Sequence, residues 1–217
     1  MSRGVLDLVG NTPIIKLHNV VPDGVAEVWL KFEAGNPTGS YKDRMAMSVL
    51  SNAMKRRDVS PGDTIVEYTG GSTGSSLAFV SAALGLKFVA VFSDAFSRSK
   101  QQTMEAFGAE VIVEDSYGKG ITPELIKRMK NRALGLCDNS NAYYADQFGS
   151  PDVTLGYEPM GQEIANSLDR NIDVFCASVG TGGAIMGTWQ GLVRSDTKVS
   201  VVAFEPLQSP FLTTGKG

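Results

Sequence analysis

The stretches IVEYTGGSTGSSLAF (65–79) and VFCASVGTGGAIMGTW (174–189) follow one plan: a short apolar run, a loop carrying Gly-Gly, then a helical pattern. A chain that passes directly from an extended apolar run into a helix is building a strand–helix unit, and repeated units of this kind bury their faces as parallel sheets covered by helices. The rest of the chain keeps the alternation. The spacing predicts strands over 28–33, 64–68, 88–93, 110–114, 173–178 and 198–205, and helices over 41–57, 75–84, 100–107, 123–134, 156–168 and 184–193. Pro and Gly punctuate 149–161 and separate two sets of elements. The expectation is an α/β chain of two doubly wound lobes meeting at a cleft, with ligands at the carboxyl ends of the strands.

Both loops are candidate anion sites. Consecutive main-chain N–H groups at a helix start attract negative charge, and glycine lets a ligand approach the backbone. Glycine supplies 24 of 217 residues, above the usual share of about 7%. Neither loop matches a P-loop, because no G-x-x-x-x-G-K-[ST] occurs. In the second loop a dinucleotide fingerprint starting at Gly180 and Gly182 needs a glycine where Ile185 stands. Glu205 could play the ribose-binding acid, so a dinucleotide site stays open as an alternative.

The chain carries few of the side chains on which common catalytic devices are built. His18 is the single histidine, and Cys137 and Cys176 show neither metal spacing nor a CxxC pattern. A conventional zinc site or Ser-His-Asp triad therefore has little to stand on, and both cysteines are expected to be buried small hydrophobes. The net charge of −3 offers no basic face for nucleic acid. The longest apolar stretch, 77–92, is interrupted by Ser81, Gly85 and Lys87 and reads as a helix followed by a strand rather than a membrane span. The start, MSRGVLDLVG, has no long apolar core of a secretion signal, so a cytoplasmic protein is expected.

Chemistry must then come from carboxylates, a lysine or a cofactor, and NPTGSYKDR (36–44) offers a lysine in an unusual place. Ser40 with Asp43 three residues later is a capping-box pattern, which starts a helix near Tyr41 and puts Lys42 in its first turn. The partial positive charge there disfavours an ammonium. Either Lys42 points to solvent, or the site wants a neutral amine that can attack a carbonyl.

Four motifs in order decide between these. GNTPIIKL (10–17), NPTGSYKDR (36–44), EYTGGSTG (67–74) and GTGG (180–183) resemble the entry motif, Schiff-base lysine motif, substrate loop and phosphate loop of the fold-type II pyridoxal-phosphate enzymes, the cysteine synthase and cystathionine β-synthase family. The resemblance spans all 217 residues. It implies a tryptophan synthase β-like fold of two three-layer lobes, the smaller over 36–150 and the larger from 1–35 with 151–217. It also implies a second lobe that stops short of its C-terminal part, since members of the family run on further.

Carried over residue by residue, the resemblance makes Lys42 the Schiff-base lysine and the base at the substrate Cα. Gly180, Thr181, Gly182, Gly183 and Ala184 would hold the phosphate of pyridoxal 5'-phosphate, and Ser72 would face its ring oxygen. Thr69, Gly70, Thr73 and Gln147 would receive the substrate carboxylate. Three positions depart from the family pattern: Ser72 stands for asparagine, Gly70 for serine and Ala184 for threonine. The histidine and paired threonines typical of cysteine synthases are also missing after Gln147.

The implied reaction is β-replacement on a serine-derived amino acid through an aminoacrylate, with sulfide or a thiol adding, in a homodimer. A serine or threonine dehydratase is the alternative within the cofactor class. A silent truncated paralogue serving as an interaction protein is the alternative outside it.

Overall fold

A computed structural model describes residues 4–140 and 142–215. The elements follow in the order β1 (Ile14–Leu17), β2 (Val28–Lys31), α1 (Lys42–Arg56), β3 (Thr64–Tyr68), α2 (Ser72–Leu84), β4 (Lys87–Ser93), α3 (Arg98–Ala106), β5 (Glu110–Glu114), α4 (Pro123–Ser140), β6 (Tyr143–Tyr144), α5 (Pro151–Ser167), β7 (Val174–Ser178), α6 (Gly183–Arg194), β8 (Ser200–Phe204) and α7 (Phe211–Thr214). All six expected strands and all six expected helices form. Sequence reading missed β1, β6 and α7, which are two to four residues long, and started four helices late, α3 and α6 by one or two residues and α2 and α5 by more. Helix α2 begins at Ser72 rather than 75, and α5 at Pro151 rather than 156. The second error overlooked Ser150-Pro151, a helix-starting pair in which proline needs no N–H partner.

β3 lies inside a four-stranded parallel sheet of order β5-β4-β3-β6. Thr64 pairs with Lys87 and Tyr68 with Val91, and Val89 pairs with Glu110. Both faces of this sheet are covered. One core gathers Met45, Val49 and Leu50 of α1, Leu77 and Ala78 of α2, and Ile65 and Phe92 of the sheet. A smaller core packs Leu125, Met129 and Ala133 of α4 on Val66 and Val91. β7 and β8 form a separate parallel pair, and β1 and β2 an antiparallel pair.

Helices α5 and α6 meet backbone to backbone. A Cβ on Gly161, Gly187 or Gly191 would overlap the carbonyl of Thr188, Thr154 or Glu158, so only glycine permits the approach. α5 also carries Val153, Tyr157 and Ile164 into the main core, which joins it to α1. A buried ion network reinforces that joint. The Arg44 guanidinium, 3% exposed, donates to Glu33 at 2.7 Å and to Glu163 at 2.7 and 2.8 Å, and Lys31 pairs with Glu163 at 2.7 Å. Burial alone would push the Glu163 carboxyl up, but the hydrogen bonds from Arg44, Lys31 and the Asn11 N–H hold it down at about 2. The network pins the GNTP and NPTGSYKDR segments to α5.

Two local expectations are corrected. Ser40 and Asp43 do not make a capping box: Tyr41 is the N-cap, and Asp43 turns back to accept the N–H and hydroxyl of Thr38 at 2.8 and 2.6 Å. Ser40 accepts the Lys42 N–H at 3.2 Å. The cysteines are not buried. Cys137, on α4, is half-buried, and Cys176 is exposed on β7, whose residues alternate between exposed and half-buried. Among the described residues, no helix is long and apolar enough to cross a membrane, and no cluster of His, Cys, Asp or Glu could hold a metal ion.

Candidate active site

The carboxyl ends of β3 and β4 open into a cavity of about 710 Å³. Lys42 enters it from the first turn of α1, and residues 69–73 enter from the loop between β3 and α2. Gln147 joins them from the segment after β6. Strand pairing therefore gathers residues far apart in the chain at one sheet end. Lys42, Thr69, Gly70, Ser72, Thr73 and Gln147 of the sequence-expected set all line this one space.

Lys42 is half-buried, and its Nζ stands 4.8 Å from the centre of the Tyr41 ring. Burial lowers its pKa, since an ammonium loses hydration there. No carboxylate lines the cavity to restore the charge. The shift moves the amine toward the neutral form that a carbonyl-capturing lysine requires.

The 69–73 loop is organised by hydrogen bonds within itself. Thr69 Oγ1 accepts the N–H groups of Gly71 and Gly74, each at 3.2 Å. The N–H groups of Ser72 and Thr73 lie in the first turn of α2, where no intrahelical acceptor exists. They are left for an anion. The Thr73 hydroxyl is already committed, donating to Gln147 Oε1 at 2.8 Å, and Gln147 Nε2 donates to the Tyr68 carbonyl at 3.1 Å. Gln147 keeps one amide hydrogen for a ligand.

Beneath the loop, Glu67 accepts the N–H groups of Tyr68 and Gln147 at 3.0 and 2.9 Å and is wholly buried. Burial raises its carboxyl to about 8, although both N–H donors favour the charged form. Glu67 was not anticipated as part of the site. An acid inside the apolar run IVEY was the available signal.

Phe96, Lys100, Met129 and Phe148 were likewise not anticipated, because only the fold brings α3, α4 and the segment after β6 to this opening. Phe96 accounts for one departure noted in the sequence. A Cβ on Gly70 would come within 2.6 Å of the Phe96 ring, so the loop and the ring are matched in shape.

The second glycine loop does not line this cavity. Ala184 lines a neighbouring cavity of about 760 Å³ between β1–β2, α5 and β7, and Tyr41 borders both. The loop nevertheless fits a phosphate. Side chains added at Gly180 or Gly182 would meet nothing within 4 Å, so the backbone faces open space. Gly182 adopts φ 84°, a left-handed conformation suited to glycine, and it caps a helix of 12 residues. The Thr181 hydroxyl oxygen accepts the Gly183 N–H at 3.4 Å. A half-buried lysine of lowered pKa and an open N–H cradle are what a phosphate-bearing aldehyde needs.

Comparison with known proteins agrees. A family described as pyridoxal-phosphate dependent enzyme matches residues 5–216. Cysteine synthase of Staphylococcus aureus (strain N315) is 36% identical over 216 residues, covering 98% of this chain and 67% of the relative. Cysteine synthase B of Escherichia coli (strain K12) is 36% identical over 200 residues, 91% of this chain and 64% of the relative. Among solved structures, O-ureido-L-serine synthase superposes with a TM-score of 0.91 at 33% identity, covering the whole chain and 67% of its own. The cysteine synthase of Entamoeba histolytica gives 0.87 at 29% identity, covering 99% of this chain and 63% of its own. The chain thus spans about two thirds of the length of the proteins it resembles.

Proposed function

Since the chain belongs to the family of pyridoxal-phosphate dependent enzymes, we propose that its reaction is β-replacement on a serine-derived amino acid, with sulfide or a thiol as the incoming group. The carrying observation is that one cavity holds a half-buried lysine of lowered pKa together with unpaired N–H groups at a helix start. Relatives that are cysteine synthases, and a structural neighbour that makes O-ureido-L-serine, support the serine-derived substrate class.

The cofactor, when bound, serves as an electron sink for a carbanion at the substrate Cα. Lys42 would hold its aldehyde, and its Nζ would take the proton from the substrate Cα. Gly180, Thr181, Gly182, Gly183 and Ala184 would hold its phosphate, and Ser72 would face its ring. The N–H groups of Ser72 and Thr73 and the spare Gln147 hydrogen receive the substrate carboxylate, while Thr69 fixes the loop that presents them. Gly70 leaves room for Phe96, whose ring limits water above the loop. The sheet of β3 to β6 supports a smaller lobe over 36–150, with 1–35 and 151–217 forming the other.

The test is an absorbance titration with pyridoxal phosphate. A visible imine band should appear in the wild type and vanish in Lys42→Ala, whose melting curve should change little. Addition of O-acetylserine should then shift the band. A band that survives the substitution removes Lys42 from its role, and a response to serine alone with release of a keto acid favours the dehydratase chemistry.

A further inference from the structure

Two lysines line the main cavity, and the mechanism uses one. Lys100, at the third position of α3, lays its stem across the substrate loop: a Cβ on Gly71 would stand 3.3 Å from the Lys100 Cγ. It is half-buried, and its ammonium is given neither an ion pair nor a hydrogen bond among the described residues. Lys16, Lys31, Arg44, Arg56 and Arg194 all have carboxylate partners. No Asp or Glu lines the cavity. A half-buried cation facing a space without acids is short of an anion.

In the proposed reading this cavity of about 710 Å³ takes the cofactor ring beside Ser72 as well as the substrate. The α-carboxylate already has neutral donors in the first turn of α2, where the helix start supplies positive potential. Lys100 is therefore left for a different group.

We propose, building on the β-replacement reading, that Lys100 forms a second anion subsite that selects reactants carrying negative charge beyond the α-carboxylate. The charged group is a carboxylate or phosphate, borne either by the leaving substituent of the donor or by the incoming thiol. Phe96 and Phe148 wall the same space and leave the charge with Lys100 as its cationic partner. Lys100 is thus a specificity-determining residue of the site.

The experiment is calorimetric binding to wild type and Lys100→Gln, each with and without pyridoxal phosphate. O-phosphoserine is compared with serine for the donor arm, and mercaptoacetate with 2-mercaptoethanol for the thiol arm. Loss of one charge-assisted contact should weaken the anionic member of the responding pair about tenfold or more. The neutral members should change by less than about twofold, and Lys100→Arg should retain the preference. Which pair responds identifies the source of the charge. Equal weakening of serine and O-phosphoserine assigns Lys100 to the α-carboxylate and overturns the proposal. No preference for either anionic probe in the wild type overturns it too. Absence of an imine band defeats the cofactor reading instead, and the arms without cofactor still report the charge preference.

Discussion

The unit β3–α2–β4 and the unit β7–α6–β8 start from the same sequence plan and end in different surroundings. In the first, Ile65 to Tyr68 are all buried and β4 is buried over most of its length. In the second, β7 alternates between exposed and half-buried residues, and β8 is exposed throughout. The strand–glycine–helix turn forms in both places, because it depends on local apolar runs and on glycine. Burial does not follow from it. β3 is flanked by β4 and β6 and packed on by α2 and α4, whereas among the described residues β7 and β8 have only each other as strand neighbours. A loop's chemistry is thus local, and a strand's stability is set by its neighbours.

The widest gap between the two units should appear when their strands are cut back. Ile65→Ala removes a fully buried side chain from a packed core and should cost about 4 kcal/mol. Val202→Ala, at a residue 42% exposed, should cost less than about 1 kcal/mol. Urea denaturation of both variants measures the difference. Equal losses would mean that β8 is covered in solution, and the contrast would fall.

The glycines sharpen the same comparison at a somewhat smaller scale. Gly191→Ala drives a methyl into the Glu158 carbonyl and forces α5 and α6 apart, at a cost of about 3 kcal/mol. Gly180→Ala places its methyl in open space and should change the melt of the unloaded protein by no more than about 0.5 kcal/mol. Its effect should appear instead as weaker binding of pyridoxal phosphate. If the Gly180 variant is the less stable of the two, the second loop is packed rather than open.

This division also explains what the sequence could disclose. Period and punctuation revealed the two loops, because Tyr68-Thr69-Gly70-Gly71 and Val179-Gly180-Thr181-Gly182 carry their conformation in their own residues. Lys42 was legible from a helix start that ordinarily disfavours lysine. Cys176 was misjudged because VFCAS reads as a core strand, whereas β7 alternates between exposed and half-buried residues and Cys176 is exposed. Ser40 and Asp43 matched a capping pattern, yet Thr38 competed successfully for the carboxylate. β1 and β6 escaped because pairs of four and two residues give too little alternation to detect. Phe96 and Lys100 belong to the cavity only through the packing of α3, which no local pattern encodes. Gly70 was visible as a departure, but its partner Phe96 was not.

The finest difference between the units lies three residues before each glycine pair, where the first has Glu67 and the second Val179. Burial holds the Glu67 carboxyl at about 8, above its value in an unfolded chain. The folded state therefore keeps a proton that the unfolded state has already released. That contribution to stability is complete below the ordinary carboxylate range and is lost as pH rises through about 8. Asp146 adds to the upward shift by like charge, while the N–H groups of Gln147 and Tyr68 oppose it. The wild type should accordingly melt lower at pH 8.5 than at pH 5.5. Glu67→Gln, which cannot ionise, should recover about 3 °C of that drop. Val179→Ala should leave the pH dependence of the melt unchanged, since no proton is exchanged there. Differential scanning calorimetry at the two pH values reads all three proteins. If the drop persists undiminished in Glu67→Gln, the acid beneath the first loop is already ionised at neutral pH, and its two N–H donors outweigh its burial.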